Sequence, residues 1–189
     1  RMIPSCTSVV LKSYLSPTCL ATVFRNRLPR LKELTIGPYF GPKQAAQSSD
    51  ILKCLEMAPN LETVEIHDQV SHAPDAYDMA SVLNLLPLLR SFELNKDVNL
   101  HSLLTTNRQY PQLTSLTLEG VGAAVLARFP AIFPHLEFLS ISYDSPPITS
   151  DHFTCLASRV TVKKLELDLY SEREATDEDL LALAKVTSL

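Results

Sequence analysis

Apolar and polar positions alternate along this chain in a short unit that returns seven times. The unit begins at Cys6, Leu31, Leu61, Leu89, Leu113, Leu136 and Val162, so successive copies lie 25, 30, 28, 24, 23 and 26 residues apart. Its first, fourth and sixth positions supply 21 residues, all apolar if Cys6 is counted. Positions three, five and seven also supply 21, and among these only Val10 and Phe138 are clearly apolar. A period of two marks a strand, because successive side chains leave a pleated backbone on opposite faces. Parallel sheets covered on both sides read instead as unbroken apolar runs. The alternation therefore predicts a parallel sheet with one face packed and the other wet.

The stretches between the units change period. Residues 51–58 (ILKCLEMA), 79–86 (MASVLNLL) and 152–159 (HFTCLASR) are apolar at three- and four-residue spacing, as an amphipathic helix requires. Helix starts are marked by Ser49 or Asp50, by Asp75 and by Thr149 or Ser150, with Thr176 and Asp179 forming a capping-box variant. In six units a proline stands two residues ahead of the first position: Pro4, Pro29, Pro59, Pro87, Pro111 and Pro134. Proline lacks the amide donor and disfavours helix in its predecessor, so it ends each helix and opens the next strand.

A repeat of this length, written P-x-L-x-x-L-x-L, resembles the leucine-rich repeats, whose units run to roughly 20–29 residues. Many of these carry an asparagine three positions beyond the third apolar residue. Here that slot holds Tyr14, Tyr39, Gln69, Asp97, Val121, Asp144 and Tyr170. The pattern is closer to the intracellular, ribonuclease-inhibitor-like and F-box-associated classes, and it resembles the leucine-rich half of fungal F-box-like proteins. The resemblance implies an α/β leucine-rich repeat solenoid, a horseshoe with a parallel sheet on the concave side and helices on the convex side. Residues 1–189 form one such domain of about seven irregular repeats. The chain opens inside a repeat and closes where an eighth would begin, so part of a longer array is expected. By resemblance its function is that of a non-enzymatic protein-binding scaffold, the substrate-recognition region of an F-box-type ubiquitin ligase subunit. A ubiquitin ligase adaptor would then bind only through a region upstream of this chain. The alternatives are a regulatory leucine-rich protein such as a GTPase activator, or a purely architectural segment.

Charge and rare residues narrow the classes. Lysine and arginine number 17 against 21 acidic residues, a net charge of −4, so the basic footprint of a nucleic-acid binder is missing. No apolar run reaches the roughly 18 residues that cross a membrane. Cys54 and Cys155 each stand five residues before the proline slot of different repeats (Pro59 and Val160), too many strands apart to be bridged. Free thiols are expected, and with them a cytoplasmic or nuclear location. His67 and His72 share a loop with Asp68 and Asp75, but a zinc site needs four well-placed ligands. His101, His135 and His152 are expected at the surface or as capping residues. There is no G-x-S-x-G, P-loop or dinucleotide fingerprint among only four glycines, and Pro38 and Pro42 spoil GPYFGPK (37–43) as a phosphate cradle. No cofactor, metal or catalytic residue is expected.

The candidate binding surface is the wet face of the sheet. Its 21 positions carry six carboxylates, two lysines and eight hydroxyls. Glu33, Glu65, His67, Glu93, Glu119, Phe138, Lys164, Glu166 and Asp168 are the residues expected to meet a partner. Glu65 and Glu93 are expected to be lateral neighbours, repelling by about 1 kcal/mol unscreened. Such a pair either suits a partner with a basic surface or merely keeps an exposed sheet soluble. Phe138 is either an interface anchor or packed against Lys164 or Thr117.

Overall fold

The computed structural model describes residues 5–11, 22–25, 27–37, 48–67, 77–143, 149–159 and 162–169, together with 177 and 181. In chain order these hold β1 (Ser8–Leu11), β2 (Glu33–Ile36), α1 (Ser48–Glu56), β3 (Thr63–Ile66), β4 (Tyr77–Asp78), α2 (Met79–Leu85) and β5 (Ser91–Asn99). There follow α3 (His101–Thr105), β6 (Ser115–Glu119), α4 (Ala123–Leu126), α5 (Phe129–Ile132), β7 (Phe138–Tyr143), α6 (Ser150–Arg159) and β8 (Lys164–Leu169).

Seven strands pair in parallel in the order β1-β2-β3-β5-β6-β7-β8, so each repeat adds its strand beside the previous one. The register follows the sequence unit: Ser8, Glu33, Thr63, Ser91, Ser115, Phe138 and Lys164 align across the sheet. Consecutive helices touch one another along the other side: α1 on α2, α2 on α3, α3 on α4, and α4 on α6.

Core positions behave as their period requires. Val64, Phe92 and Leu116 are 0%, 1% and 0% exposed. Of the first, fourth and sixth positions, only Cys6, Leu11, Leu165 and Leu167 are less than fully buried, and all four belong to the first and last units. No described residue at positions three, five or seven is buried.

The prolines do more than stop helices. The amides of Leu31, Leu61, Leu89, Leu113 and Leu136 donate to the carbonyls three residues back, at 3.1–3.3 Å. Each bond closes a β-turn with proline at its second position, where the ring presets the backbone angle. One residue further on, each carbonyl receives two amides from the next repeat: Arg90 N–H and Ser91 N–H both donate to the Glu62 carbonyl at 2.8 and 3.0 Å. The same fork recurs at Thr7, Lys32, Arg90, Thr114 and Glu137. It fixes the register before each strand begins.

Three features depart from the expected pattern. The second long helix is capped by Asp78, while Asp75 lies outside the described residues, as do Thr176 and Asp179. Ser81 N–H donates to Asp78 Oδ2 at 3.1 Å, and the hydroxyls of Ser81 and Ser102 donate to the same carboxylate. Since Ser102 belongs to the following repeat, the cap also joins two repeats. The extra strand β4 arises here, pairing Tyr77 and Asp78 with Val98 and Asn99. The short repeats hold α3, α4 and α5, which are too brief to show a helical period in sequence; Pro130 sits in the first turn of α5, where its missing amide costs nothing.

Candidate functional site

Because register is kept, the wet face is a grid whose rows can be read across strands. Glu65 pairs laterally with Thr35 on one side and Glu93 on the other. Thr35 Oγ1 donates to Glu65 Oε2 at 3.0 Å. His67, two residues further along β3's line, stands between the two carboxylates. Its Nε2 lies 3.8 Å from Glu65 Oε2 and its Nδ1 3.5 Å from Glu93 Oε1. Both distances lie within ion-pair range though beyond a charge-assisted hydrogen bond of about 2.8 Å. All three side chains remain reachable, at 29% exposure for His67, 37% for Glu65 and 32% for Glu93.

A second group forms on β7 and β8. Lys164 Nζ stands 5.1 Å from the centre of the Phe138 ring and 2.6 Å from Glu166 Oε1. The ring quadrupole and the carboxylate together hold the ammonium over Phe138. The aromatic is therefore packed under Lys164 rather than bare. Two strand spacings, about 10 Å, separate β5 from β7.

The remaining sequence-predicted residues are placed by register. Glu33 lies between Ser8 and Thr63, Asp168 beside Ser142, and Glu119 between Ser142 and the backbone of Asp97. Counting along the unit would set Asn95, the seventh position of its repeat, beside Glu119, but β5 shifts register between Leu94 and Asp97. An irregularity of this kind inserts residues on one strand only, so the sequence count runs ahead of the pairing. Thr35, counted only as one of the eight hydroxyls of this face, is the residue that donates to Glu65. Both hold the fifth position of successive units, and that lateral adjacency could have revealed it.

The edge below this face is locked by alternating charge. Lys32 Nζ meets Glu62 Oε1 at 2.7 Å, Arg90 Nε reaches Glu62 Oε2 at 4.0 Å, and Lys163 Nζ meets Glu137 Oε1 at 2.7 Å. The Lys32 hydrogen bond and charge hold the Glu62 carboxyl below its usual range.

Chemistry elsewhere is sparse. Cys6, Cys54 and Cys155 are free thiols, and Cys19 lies outside the described residues. Burial, reinforced by Asp50, pushes the Cys54 thiol up to about 11. Among the described residues no group of three histidine, cysteine or acidic side chains could hold a metal, and no helix is long and apolar enough to cross a membrane. His72, Asp68 and the loop at 38–47 fall outside the described residues.

A sheet of aligned parallel strands built from one short repeat, with helices behind it, is the architecture of a leucine-rich repeat solenoid. Solved structures agree. A protein from Bacteroides fragilis is similar to this chain at 19% identity and a TM-score of 0.57, over 82% of this chain and 51% of that one. TLR13, solved as its complex with ssRNA13, is similar at 22% identity and a TM-score of 0.51, over 82% of this chain and 20% of that one. The chain thus spans about half the length of the first and a fifth of the second. No family model matches the chain, and no curated protein matches it.

Proposed function

We propose that this chain is a non-catalytic docking scaffold whose wet sheet face holds a basic segment of a partner protein. The observation that carries this reading is the convergence of the half-exposed carboxylates of Glu65 and Glu93 on either side of His67. A lysine or arginine there would meet two carboxylates already brought together by the sheet register, at little cost in reorganisation. Glu33, Glu119, Glu166 and Asp168 extend the negative potential to either side, and Phe138 with Lys164 bounds it. TLR13 is named with a single-stranded RNA, but six carboxylates against two lysines on this face would repel a phosphate backbone.

Within this reading, the scaffold is the target-holding part of an F-box-type ubiquitin ligase subunit, working in the cytosol or nucleus. The adaptor would be held by a region outside this chain. The repeat pattern and the free thiols support this assignment.

The face is tested with a fluorescent lysine- and arginine-rich peptide in binding titrations at low and high salt. Each reversal removes an attraction and adds a repulsion of about 1 kcal/mol near 4 Å in water. The combined Glu65→Lys, Glu93→Lys and Glu119→Lys protein should bind at least about tenfold more weakly at low salt. Equal binding by both proteins would rule out the wet face. The ligase assignment is tested on the full-length protein, which should co-purify with a cullin–RING adaptor; absence of that adaptor under conditions that retain a control F-box protein overturns it.

A further inference from the structure

One buried histidine ties α6 to the repeat before it. Thr149 precedes α6 as its cap, and His152 occupies the third helical position, where a capping box carries glutamate or glutamine. Its Nδ1 accepts the Thr149 backbone N–H at 3.1 Å, with the Thr149 hydroxyl 2.7 Å from the same nitrogen. An amide can only donate, so Nδ1 carries the lone pair and the ring proton sits on Nε2. The ring also bonds the backbone of Val121, in the loop between β6 and α4. At 9% exposure the imidazole is the buried polar side chain of this interface.

Burial is what opposes a cation here. The segment α4, packed against α6, reads Ala-Ala-Val-Leu and carries no titratable group. Asp151 favours a charged ring, as do the backbone bonds at Val121 and Thr149, and Cys155 lies one turn further along α6. Burial outweighs all of these and lowers the pKa of His152 below the ordinary 6.5.

We propose that His152 is an acid-released latch between α6 and the preceding repeat. With the ring neutral, one nitrogen closes the helix cap and the ring reaches across to Val121. A proton taken from solvent binds at Nδ1, and the Thr149 hydroxyl can turn to accept it, but the Thr149 amide loses its acceptor and the cap opens. Because a solenoid repeat contacts only its neighbours, the loosening stays at the β7–α6–β8 end of the described array. This device is independent of what the wet face binds.

Hydrogen exchange of residues 149–159, normalised to intrinsic rates, tests it at about pH 7.5 and about pH 5, the range in which imidazole changes charge. The native protein should lose α6 protection at the acid pH while β6 keeps its own. In His152→Gln the carboxamide oxygen can take the Thr149 N–H and cannot be protonated in that range, so protection should survive at both. His152→Ala should be unprotected at both. Equal acid loss in the native protein and His152→Gln overturns the latch, as does a native α6 unmoved by acid. Should the glutamine variant fail to fold, nitrogen NMR of the native imidazole decides: an Nε2–H tautomer turning cationic only below pH 6.5 supports the latch, and an Nδ1–H tautomer sinks it.

Discussion

Individual residues in this protein act by closing hydrogen-bond accounts or filling space. Leu116 is fully buried in the central strand β6, so Leu116→Ala should cost about 2–5 kcal/mol in a urea melt. Asp78 caps α2 and accepts from Ser102 of the next repeat. Losing such a cap typically costs about 0.5–2 kcal/mol. Burial works against its charge, yet the hydrogen bonds from Ser102 and Ser81 prevail and hold its carboxyl below the ordinary 3.8. Its contribution is then complete above pH 3.8 and is lost as pH falls through the lowered folded value. Asp78→Asn should therefore melt with a smaller loss of stability under acid than the native chain. The sign for His152 has the same direction in a different window. A neutral buried histidine contributes fully above 6.5 and loses ground as pH falls below it. Cys54 resists alkylation for a related reason: with its thiol at about 11, almost no thiolate exists near neutral pH. It should label only on unfolding.

At the scale of elements, the five repeats that open at Leu31, Leu61, Leu89, Leu113 and Leu136 are started by the same device. A proline-containing turn is followed by a carbonyl that accepts two amides from the next repeat. Proline here limits the unfolded chain more than it adds contacts. Pro87→Ala should thus lower stability by about 0.4–1 kcal/mol, leaving strand register and circular dichroism unchanged. The long helices were legible because seven to ten residues complete a stripe; α3, α4 and α5, of four or five residues, fall short of two turns and carry no readable period. Strand β4 escaped for another reason. Its pairing depends on β5 continuing past Leu94 after a register shift, a feature of two strands together.

The whole molecule is a one-dimensional stack, and its ends differ from its middle. Leu116 has a strand on both sides, whereas Leu167, at the sixth position of β8, is only partly buried. The same truncation should accordingly cost less at Leu167 than at Leu116, the smaller value falling below about 2 kcal/mol; equal losses in matched urea melts would argue against a stack whose packing weakens toward its ends. Charge is also distributed at this scale. Carboxylates gather on the wet face, while the edge beneath alternates lysine, glutamate and arginine across repeats. Register produces both patterns.

The seven repeat strands, their two faces, their order and the packed positions were written in the chain, because an alternation of two is a property of covalent neighbours and needs no partner to be read. The lateral relations were a different matter. Glu65 and Glu93 could be paired by counting, since no insertion separates their columns, yet His67 settling between them, Asp97 taking the place of Asn95, and His152 turning inward depended on contacts between repeats. Those contacts follow from bulges, loop lengths and cap geometry, which add or remove residues locally and so break any count made along the sequence. Only the folded stack sets which side chains meet across it.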